Sequence, residues 1–499
     1  MIRNLYSIAI LSILFPWLFY HKGIGLNLFL FNMIVIAIYY SSGYFKKKGL
    51  NYLLILSGTV LSAFLVVLIH TGMTVFINLV SLFLLSGVLC YPEARSLLNS
   101  LRLSFSNIFL SQKMFWTELN RQENRRFRLS IIFKWMKTVF IPIVIIILFI
   151  FLYKAANPFF DKHVTSIFTY IGKQLQTIVS FPLLFTFLLG LLISTFLLIN
   201  NPLKKVIDRD MASDINLLRK KKKQGRFRIN GLWTELKAAV FLLIFLNLLI
   251  LAENIIDIYW VWFNFEWNGD YLKQFVHEGT YLLILSILIS IGITLYFFRG
   301  NLNFFSRNKM LKILSYIWLF QNIILTVSVG LRNYRYIETF ALAFKRIGVF
   351  FFLALALLGI FTVMYKIRRR LSAFYLFKVN TAAIYVILVL ISVFNWDIII
   401  ARYNFRNYEK SFVHLDFLST LSDNALPFTD RTMEELTAID KVQKNKFNFE
   451  ETFMSPYKYY VTEQKRKSQF IQRWESKKML EWNFAGQRTY KKLMQKKNK

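Results

Sequence analysis

Long apolar segments alternate with short polar or basic stretches along this chain. A helix that crosses a bilayer needs about twenty apolar residues, with about seventeen as the usual lower limit. Eleven segments reach or approach this length, at residues 5–20, 24–40, 52–69, 73–90, 137–153, 178–199, 238–258, 280–298, 313–331, 348–365 and 380–400. The pattern predicts an all-α fold, a polytopic integral membrane helical bundle with about eleven transmembrane helices.

The spacing of these segments divides the chain into four regions. They are two transmembrane hairpins at 1–90, a cytoplasmic amphipathic linker at 91–136, a main bundle of about seven spans at 137–400 with a basic cytoplasmic loop at 201–237, and a basic extramembrane C-terminal tail at 401–499. In the linker, apolar residues of 97–119 recur at helical spacing beside Arg102 and Lys113, which favours a helix lying on the cytoplasmic leaflet. The tail is predicted to be a small helical or partly extended appendage.

Composition supports the bilayer as the solvent for most of the chain. Of the 499 residues, 56% are hydrophobic and only 18% are charged, a balance that is rare in soluble domains. Residues 1–20 have a basic start and an apolar run like a signal peptide, but no small-x-small cleavage site follows, so they are interpreted as an uncleaved first span. A single cysteine, Cys90, excludes an intramolecular disulfide and a cysteine-based zinc cluster.

The distribution of basic residues predicts the orientation of the chain. Lysine and arginine number 62 against 27 acids, a net charge of +35. Basic clusters follow the second, fourth, sixth, eighth and tenth predicted spans, at 46–48, 120–128, 219–228, 299–309 and 366–370. Because cytoplasmic loops collect Lys and Arg, this alternation places the N-terminus and these loops in the cytoplasm. An odd number of spans then places the tail outside, in the periplasm if the membrane is a bacterial inner membrane.

The strongest basic run, in the loop after the sixth predicted span, has three interpretations. It can satisfy topology while contacting anionic lipid, bind an acidic cytoplasmic partner, or bind nucleic acid. No nucleic-acid recognition fold surrounds it, and topology requires a basic loop at this place, so lipid contact is predicted and nucleic acid is not. The lipid contacts are assigned to Arg219, Lys220, Lys221, Lys222, Lys223, Arg226 and Arg228.

Two carboxylates interrupt the apolar segment LILAENIIDIYWVWF at 249–263. Glu253 and Asp257 are four residues apart, on one face of a helix. The fourteen Leu, Ile, Phe and Val residues of 238–258 favour insertion by roughly 4 to 8 kcal/mol, which offsets acids that cost at most about 3 kcal/mol each. Glu253 has three interpretations, namely structural pairing, a ligand or proton site, and solvation at the lipid interface. Asp257 is expected nearer the outer interface, where water can solvate it.

Candidate partners for these acids follow the ninth predicted span, in LRNYRYIETFALAFKR at 331–346. On one continuous helix Arg332, Arg335, Thr339 and Arg346 would form a stripe at the outer face, on the same side as the acids. Arginines held by buried acids would explain why this connection departs from the charge rule. The alternative is an ordinary amphipathic surface helix.

A third contributor is FVHEGTY at 275–281, where His277 and Glu278 precede the eighth predicted span. A histidine beside a glutamate can titrate near neutral pH, cap a helix or ligate a metal. The other histidines are scattered singly, so no metal site is predicted. The predicted buried polar cluster consists of Glu253, Asp257, His277, Glu278, Arg332, Arg335 and Arg346.

No common catalytic motif in the sequence supports an enzymatic function. The chain has no Walker A loop, no HExxH and no GxSxG, and no cofactor is predicted. The leading hypothesis is a non-enzymatic membrane protein of sensory, regulatory or assembly type, whose polar cluster receives a ligand or locks helices together and whose tail binds a protein partner. The second is a secondary transporter that uses Glu253 as a proton or cation site. The third is a membrane enzyme acting on lipid or envelope intermediates.

Five segments carry a resemblance to a known family. They are FVHEGTY (275–281), LRNYRYIETFALAFKR (331–346), NWDIIIARYN (395–404), LDFLSTLSDNALP (415–427) and EWNF (481–484). Together they resemble bacterial multispan membrane proteins of domain of unknown function 4153/4173, over about residues 230–490, whereas the early spans resemble that family only in hydrophobicity.

The resemblance is specific at some positions and departs at others. Arg332, Tyr336 and Arg346 match the family pattern, but residues 340–343 read Phe-Ala-Leu-Ala where the family has a Tyr-Gly-Leu-Thr step. The resemblance implies membrane architecture and an external C-terminal appendage. It implies no activity, cofactor or catalytic residue.

Overall fold

Helices are the regular elements of this protein throughout the part that the structure describes. The computed structural model describes residues 2–41, 49–122, 142, 145, 146, 148–166, 180–219, 228–265, 269–447 and 454–497. Within these ranges no strand occurs, and the only β-type pairing is an isolated bridge between Asn216 and Leu371. The predicted all-α fold is therefore confirmed.

The helices are numbered here in chain order within the described residues. Before the tail they are α1 (Ile2–Phe19), α2 (Leu26–Ser41), α3 (Leu50–Leu68), α4 (Gly72–Cys90), α5 (Leu97–Gln122), α6 (Phe181–Leu198), α7 (Lys204–Met211), α8 (Arg228–Asp257), α9 (Gly269–Phe297), α10 (Lys309–Phe340), α11 (Phe344–Arg369) and α12 (Ala373–Ser392). A π-helical segment, Ile258–Phe263, continues α8. The tail contains α13 (Trp396–Arg406), α14 (Leu415–Ser419), α15 (Leu426–Thr429), α16 (Met433–Lys446), α17 (Pro456–Glu475) and α18 (Phe484–Lys497).

Ten of the predicted spans coincide with apolar helices of the described residues. Eight of these helices, α3, α4, α6 and α8–α12, are long and apolar enough to cross a membrane, and α1 and α2 contain the shorter apolar stretches Leu5–Phe19 and Leu26–Ser41. Of the predicted span at 137–153, the structure describes residues 142, 145, 146 and 148–153, which are helical. The chain is therefore a polytopic membrane protein, as its hydrophobic pattern predicts.

The last predicted span, 380–400, is wrong in its bounds. The helix runs from Ala373 to Ser392 and then stops, and a separate helix begins at Trp396. Asn395 caps this second helix, because its side-chain oxygen accepts a hydrogen bond from the Ile398 amide at 3.2 Å. An apolar run alone does not reveal such a break.

An N-terminal bundle is formed by α1–α6 around a core that includes Ile8, Val35 and Leu85. Small residues permit close helix packing here. A Cβ atom at Gly190 of α6 would lie only 2.6 Å from Cβ of Phe15 on α1, so only glycine fits. The sequence division places α6 with the later spans, but its packing partner is α1.

The amphipathic helix α5 packs lengthwise against α4 with its polar edge facing protein. Ser104 donates a hydrogen bond to the Phe83 carbonyl at 2.7 Å, and Asn107 donates to Ser86 at 2.9 Å. Phe109, on the opposite edge, is exposed. Contact of α5 with the cytoplasmic leaflet stays a prediction, and the apolar edge is the one left available for lipid.

A C-terminal bundle is formed by α8–α11 around a core that includes Leu243, Leu319 and Ile360. The last span, α12, connects the two bundles. Leu376 at its start belongs to the C-terminal core, and the Tyr385 hydroxyl shares a 2.9 Å hydrogen bond with Ser81 of the N-terminal bundle. The two bundles therefore form a single membrane region.

The tail is folded and helical in its described part, not extended. Its core includes Phe405, Leu418, Leu436 and Tyr459, and Ile347 of α11 belongs to the same cluster. The tail thus has its own apolar interior, which continues into the membrane region through α11.

The tail lies across the turns of both bundles. It meets the N-terminal bundle where the Leu26 amide donates to the Trp482 carbonyl at 2.9 Å and where Asn424 donates to the Ile69 carbonyl at 3.1 Å. At the C-terminal bundle, the Phe412 amide donates to the Thr339 carbonyl at 2.6 Å. These contacts involve the turns after α1, α3 and α10. These turns lie at one end of the bundles, and the basic loops follow the opposite ends of the helices.

Candidate functional site

A buried ion pair joins α8 to α10. Asp257 is the last residue of α8, and its carboxylate contacts the Arg332 guanidinium, with side chains that are 1% and 4% exposed. Ser328, one turn before Arg332, donates from its hydroxyl to the second carboxylate oxygen at 2.7 Å. Both oxygens of Asp257 therefore have partners, which a carboxylate removed from water requires.

The π-helical segment after Asp257 contributes a further donor. Trp262 lies in this segment, and its indole nitrogen donates to the Ser328 hydroxyl oxygen at 3.3 Å. The hydroxyl of Ser328 thus accepts from Trp262 and donates to Asp257. Short π-helical turns occur frequently at functional sites because they redirect side chains locally.

Glu253 occupies the edge of the same site. Its carboxylate lies 3.7 Å from the Arg332 guanidinium, and its side chain is 42% exposed. Of the two acids in the predicted cluster, Asp257 is therefore the buried one, although its place near the outer interface suggested contact with water, and Glu253 is partly exposed. The reason is the helix face: Asn254 faces α10 and donates to the Gln321 carbonyl at 3.2 Å, and Asp257 is three residues further along that face.

A row of amide side chains continues the polar contact between α8 and α10. Gln321 donates to the side-chain oxygen of Asn247 at 2.8 Å, and Asn247 donates to the Leu314 carbonyl at 3.2 Å. Sequence reasoning missed these residues. The signal was present in the spacing, since Asn247 and Asn254 are seven residues apart in an apolar span, as are Gln321 and Ser328.

The other two predicted arginines do not join the acids of α8. Arg335 pairs with Glu338 on its own helix at 3.2 Å. Arg346 donates to the Phe340 carbonyl at 2.6 Å and also to the Ala341 carbonyl. The predicted continuous stripe is wrong, because α10 ends at Phe340 and Arg346 lies in α11. Arg346 instead satisfies carbonyls at the end of α10, a common role for arginine at helix C-termini.

The remaining predicted residues fall partly outside the described part. His277 and Glu278 lie in α9, but their side chains are not described. Arg219 is exposed, Arg228 opens α8 without a described side chain, and Lys220, Lys221, Lys222, Lys223 and Arg226 lie outside the described residues. The lipid contact of this loop stays a prediction.

A cavity of ≈ 340 Å³ lies beside the ion pair, between α9, α10 and α11. Its lining includes Thr280, Asn333, Tyr336, Lys345, Arg346 and Phe417. Thr280 is buried, and within the described residues its hydroxyl has no hydrogen-bond partner. Arg332 borders the same region, since its guanidinium would lie 3.5 Å from a Cβ atom at Gly279. The cavity can therefore offer a hydroxyl and cationic groups to a polar or anionic ligand.

The fold and this site define a class, the polytopic all-α membrane protein with an ion pair buried between its helices. Comparison with protein families identifies the chain further. Residues 7–432 match the family described as Domain of unknown function (DUF4153), and the chain belongs to that family. The match begins in the first span, further toward the N-terminus than the resemblance at about residues 230–490 indicated. No curated protein and no solved structure is significantly similar to the chain.

Proposed function

We propose that the protein is a non-enzymatic membrane protein of sensory, regulatory or assembly type. In this proposal the pair of Asp257 and Arg332 locks α8 to α10, and α10 in turn holds the tail. The observation that supports it is the burial and full pairing of Asp257, because a carboxylate saturated by Arg332 and Ser328 serves a structural role better than a transport role.

The connection from the lock to the tail runs along α10. Arg332 lies two turns before Phe340, and the last turn of α10 accepts the tail directly. Ser411 donates to the Glu338 carbonyl at 2.8 Å, and just beyond the helix the Leu342 amide donates to Asn404 at 2.8 Å. A change in the angle of α10 would therefore move the attachment of the tail.

The adjoining cavity is the place where a ligand would act on α10 and the tail. An anionic ligand between Lys345 and Arg346 would contact both α10 and α11 at the place where the tail attaches. Ligand binding and tail position would then be coupled through one helix end. We place the tail and this cavity on the external side of a bacterial inner membrane, which the distribution of basic loops supports.

Amide hydrogen exchange of residues 404–413 tests the coupling. With Arg332→Gln, exchange in this segment should rise because α10 loses its partner on α8. The matched control is Arg335→Gln, one turn further along the same helix, where exchange should stay unchanged. Equal exchange in the two variants and the wild type would remove the proposed role of the lock.

A transporter is the second candidate, favoured by the partly exposed Glu253 beside Arg332. It predicts pH-dependent solute flux in reconstituted vesicles that Glu253→Gln abolishes. Glu235→Gln on the same helix is the control, since Glu235 pairs with Arg299 at 3.5 Å at the opposite end. Flux that depends on Glu253 and not on Glu235 would favour transport over the structural role.

A further inference from the structure

A second cavity, of ≈ 390 Å³, lies where the tail meets the membrane region, away from the Asp257 cluster. Its walls come from the end of α3, the segment between α12 and α13, and α18 of the tail. Leu68 is the last residue of the span α3, and Val393 directly follows the span α12. Because two spans end at its rim, the cavity opens at the level of the lipid headgroups.

Three cations line this cavity. They are Arg402 of α13 and Arg488 and Lys492 of α18. Arg402 and Lys492 both lie over the ring of Phe428, at 4.1 and 4.8 Å from its centroid. No Asp or Glu is among the lining residues that the structure describes. Burial, together with the charges of Arg488 and Arg402, lowers the pKa of Lys492, which places the three cations within electrostatic reach of one another.

Several other cations of the tail have carboxylate partners. Arg466 pairs with Glu463 at 2.5 Å, and Lys467 pairs with Asp430 at 2.8 Å. Like charges gathered without an acid repel one another, and an anion placed among them relieves that repulsion. The arrangement around Phe428 therefore has the electrostatics of an anion site, which the pairs of Arg466 and Lys467 lack.

The other wall of the cavity is apolar. Leu68, Val393 and Phe484 are exposed hydrophobic side chains at its rim. Its floor is fixed by hydrogen bonds, since Asn424 donates to the carbonyls of Ile69 and His70 at 3.1 and 2.9 Å. A free inorganic anion would use the cations only, whereas a lipid would use the cations and the apolar rim together.

We propose that this cavity binds the phosphate headgroup of an anionic membrane lipid. The phosphate lies among Arg402, Arg488 and Lys492, and the acyl chains leave along Leu68 and Val393 into the bilayer. Each cation near a membrane surface adds substantially to attraction for anionic lipid. The bound lipid joins the tail to the N-terminal bundle, because α18 and α3 both line the cavity.

Lipid titration of the full-length protein in detergent tests the site. The probes are phosphatidylglycerol, phosphatidylcholine and soluble glycerol phosphate, with binding followed by native mass spectrometry. The test variant carries Arg402→Gln, Arg488→Gln and Lys492→Gln. The matched control carries Arg406→Gln, Lys465→Gln and Lys491→Gln, which removes the same charge from exposed tail positions outside the cavity.

The wild type and the control should bind phosphatidylglycerol more tightly than phosphatidylcholine, and the test variant should bind it at least about tenfold more weakly. Arg488→Gln alone, at an exposed position, should give an intermediate loss if the triple variant fails to fold. Equal losses in test and control variants would indicate diffuse attraction and overturn the site. Glycerol phosphate binding as tightly as the lipid would overturn the lipid assignment in favour of a soluble anion.

Discussion

The two membrane bundles bury polar groups in different ways. In the N-terminal bundle, the buried polar side chains of the described helices α1–α6 are all Ser, Thr or Asn. Asn32 and Asn78 illustrate this, since their amides exchange hydrogen bonds at 3.0 and 3.2 Å. The C-terminal bundle also buries a charged pair, Asp257 with Arg332.

This difference determines how each bundle tolerates loss of a partner. A neutral amide that loses its partner leaves an unsatisfied group, and hydrogen bonds between membrane helices contribute about 0.6 to 2 kcal/mol. A buried charge that loses its partner costs about 3–5 kcal/mol. The C-terminal bundle should therefore be sensitive to the loss of Arg332, and the N-terminal bundle should tolerate the loss of a single neutral partner.

Removal of the arginine should have the largest effect. Arg332→Gln leaves the Asp257 carboxylate buried without its cation, and we expect the free energy of unfolding to fall by about 3–5 kcal/mol. Thermal unfolding in detergent measures this. Arg335→Gln is the control, because its half-exposed pair with Glu338 should contribute at most about 1 kcal/mol. Similar losses in both variants would show that the buried pair contributes no more than the half-exposed one, and would contradict the account.

Acidification should introduce a charge into the neutral bundle. Burial, then the charge of Lys477, lowers the pKa of His70, in the turn between α3 and α4, to about 4. An unfolded histidine has a pKa near 6.5, so the folded state binds fewer protons between these values. Stability is therefore complete above about pH 6.5 and declines as the pH falls toward 4, by at most about 2 kcal/mol at pH 5.

The variant His70→Asn isolates this contribution. Asn tolerates the left-handed backbone at this position, where φ is 49°. The melting temperature of the wild type should fall more than that of the variant between pH 7.5 and pH 5. Parallel pH profiles would show that His70 does not titrate as its burial implies.

A neutral partner in the N-terminal bundle should matter less. Asn78→Ala removes hydrogen bonds to Asn32 and Ser62, and we expect a loss of about 1 kcal/mol in unfolding free energy. Ser57→Ala, at an exposed hydroxyl on α3, serves as the comparison and should change little. A loss as large as that of Arg332→Gln would mean that neutral and charged pairs are equally critical.

The smallest expected effect is a gain in the C-terminal bundle. Ala341 has φ 63° and ψ −170°, a conformation that glycine adopts readily and alanine does not. Ala341→Gly should therefore raise the melting temperature, by an amount equivalent to at most about 1 kcal/mol after the extra freedom of glycine in the unfolded chain. A lower melting temperature would show that the turn is not strained.

The sequence predicted the spans well because bilayer thickness imposes their length and apolar character. It also brought Glu253, Asp257 and Arg332 forward as candidates, since charges inside spans are rare. It did not distinguish the two acids, because four-residue spacing places Glu253 and Asp257 on one face without telling which of them points at α10. That distinction depends on the rotation of α8, which Asn247 and Asn254 reveal only once their partners are known.

The turn after α10 and the tail were harder to predict. The break at Ala341 depends on a positive φ angle that the residue type disfavours, so the sequence suggested a continuous helix through Arg346. The tail's contacts with the turns of both bundles are long-range hydrogen bonds that involve backbone groups of these turns, such as Leu26 with Trp482, and no periodic pattern records them. The cations around Phe428 come from two helices far apart in the chain and were invisible for the same reason.

A double-mutant cycle between Asp257 and Arg332 tests the central claim most directly. The unfolding free energies of Asp257→Asn, Arg332→Gln and the double variant give the coupling between the two side chains. We expect about 2–3 kcal/mol for this pair and below about 1 kcal/mol for the matching cycle of Glu253→Gln with Arg332→Gln. A coupling near zero for Asp257, or a larger one for Glu253, would contradict the lock between α8 and α10.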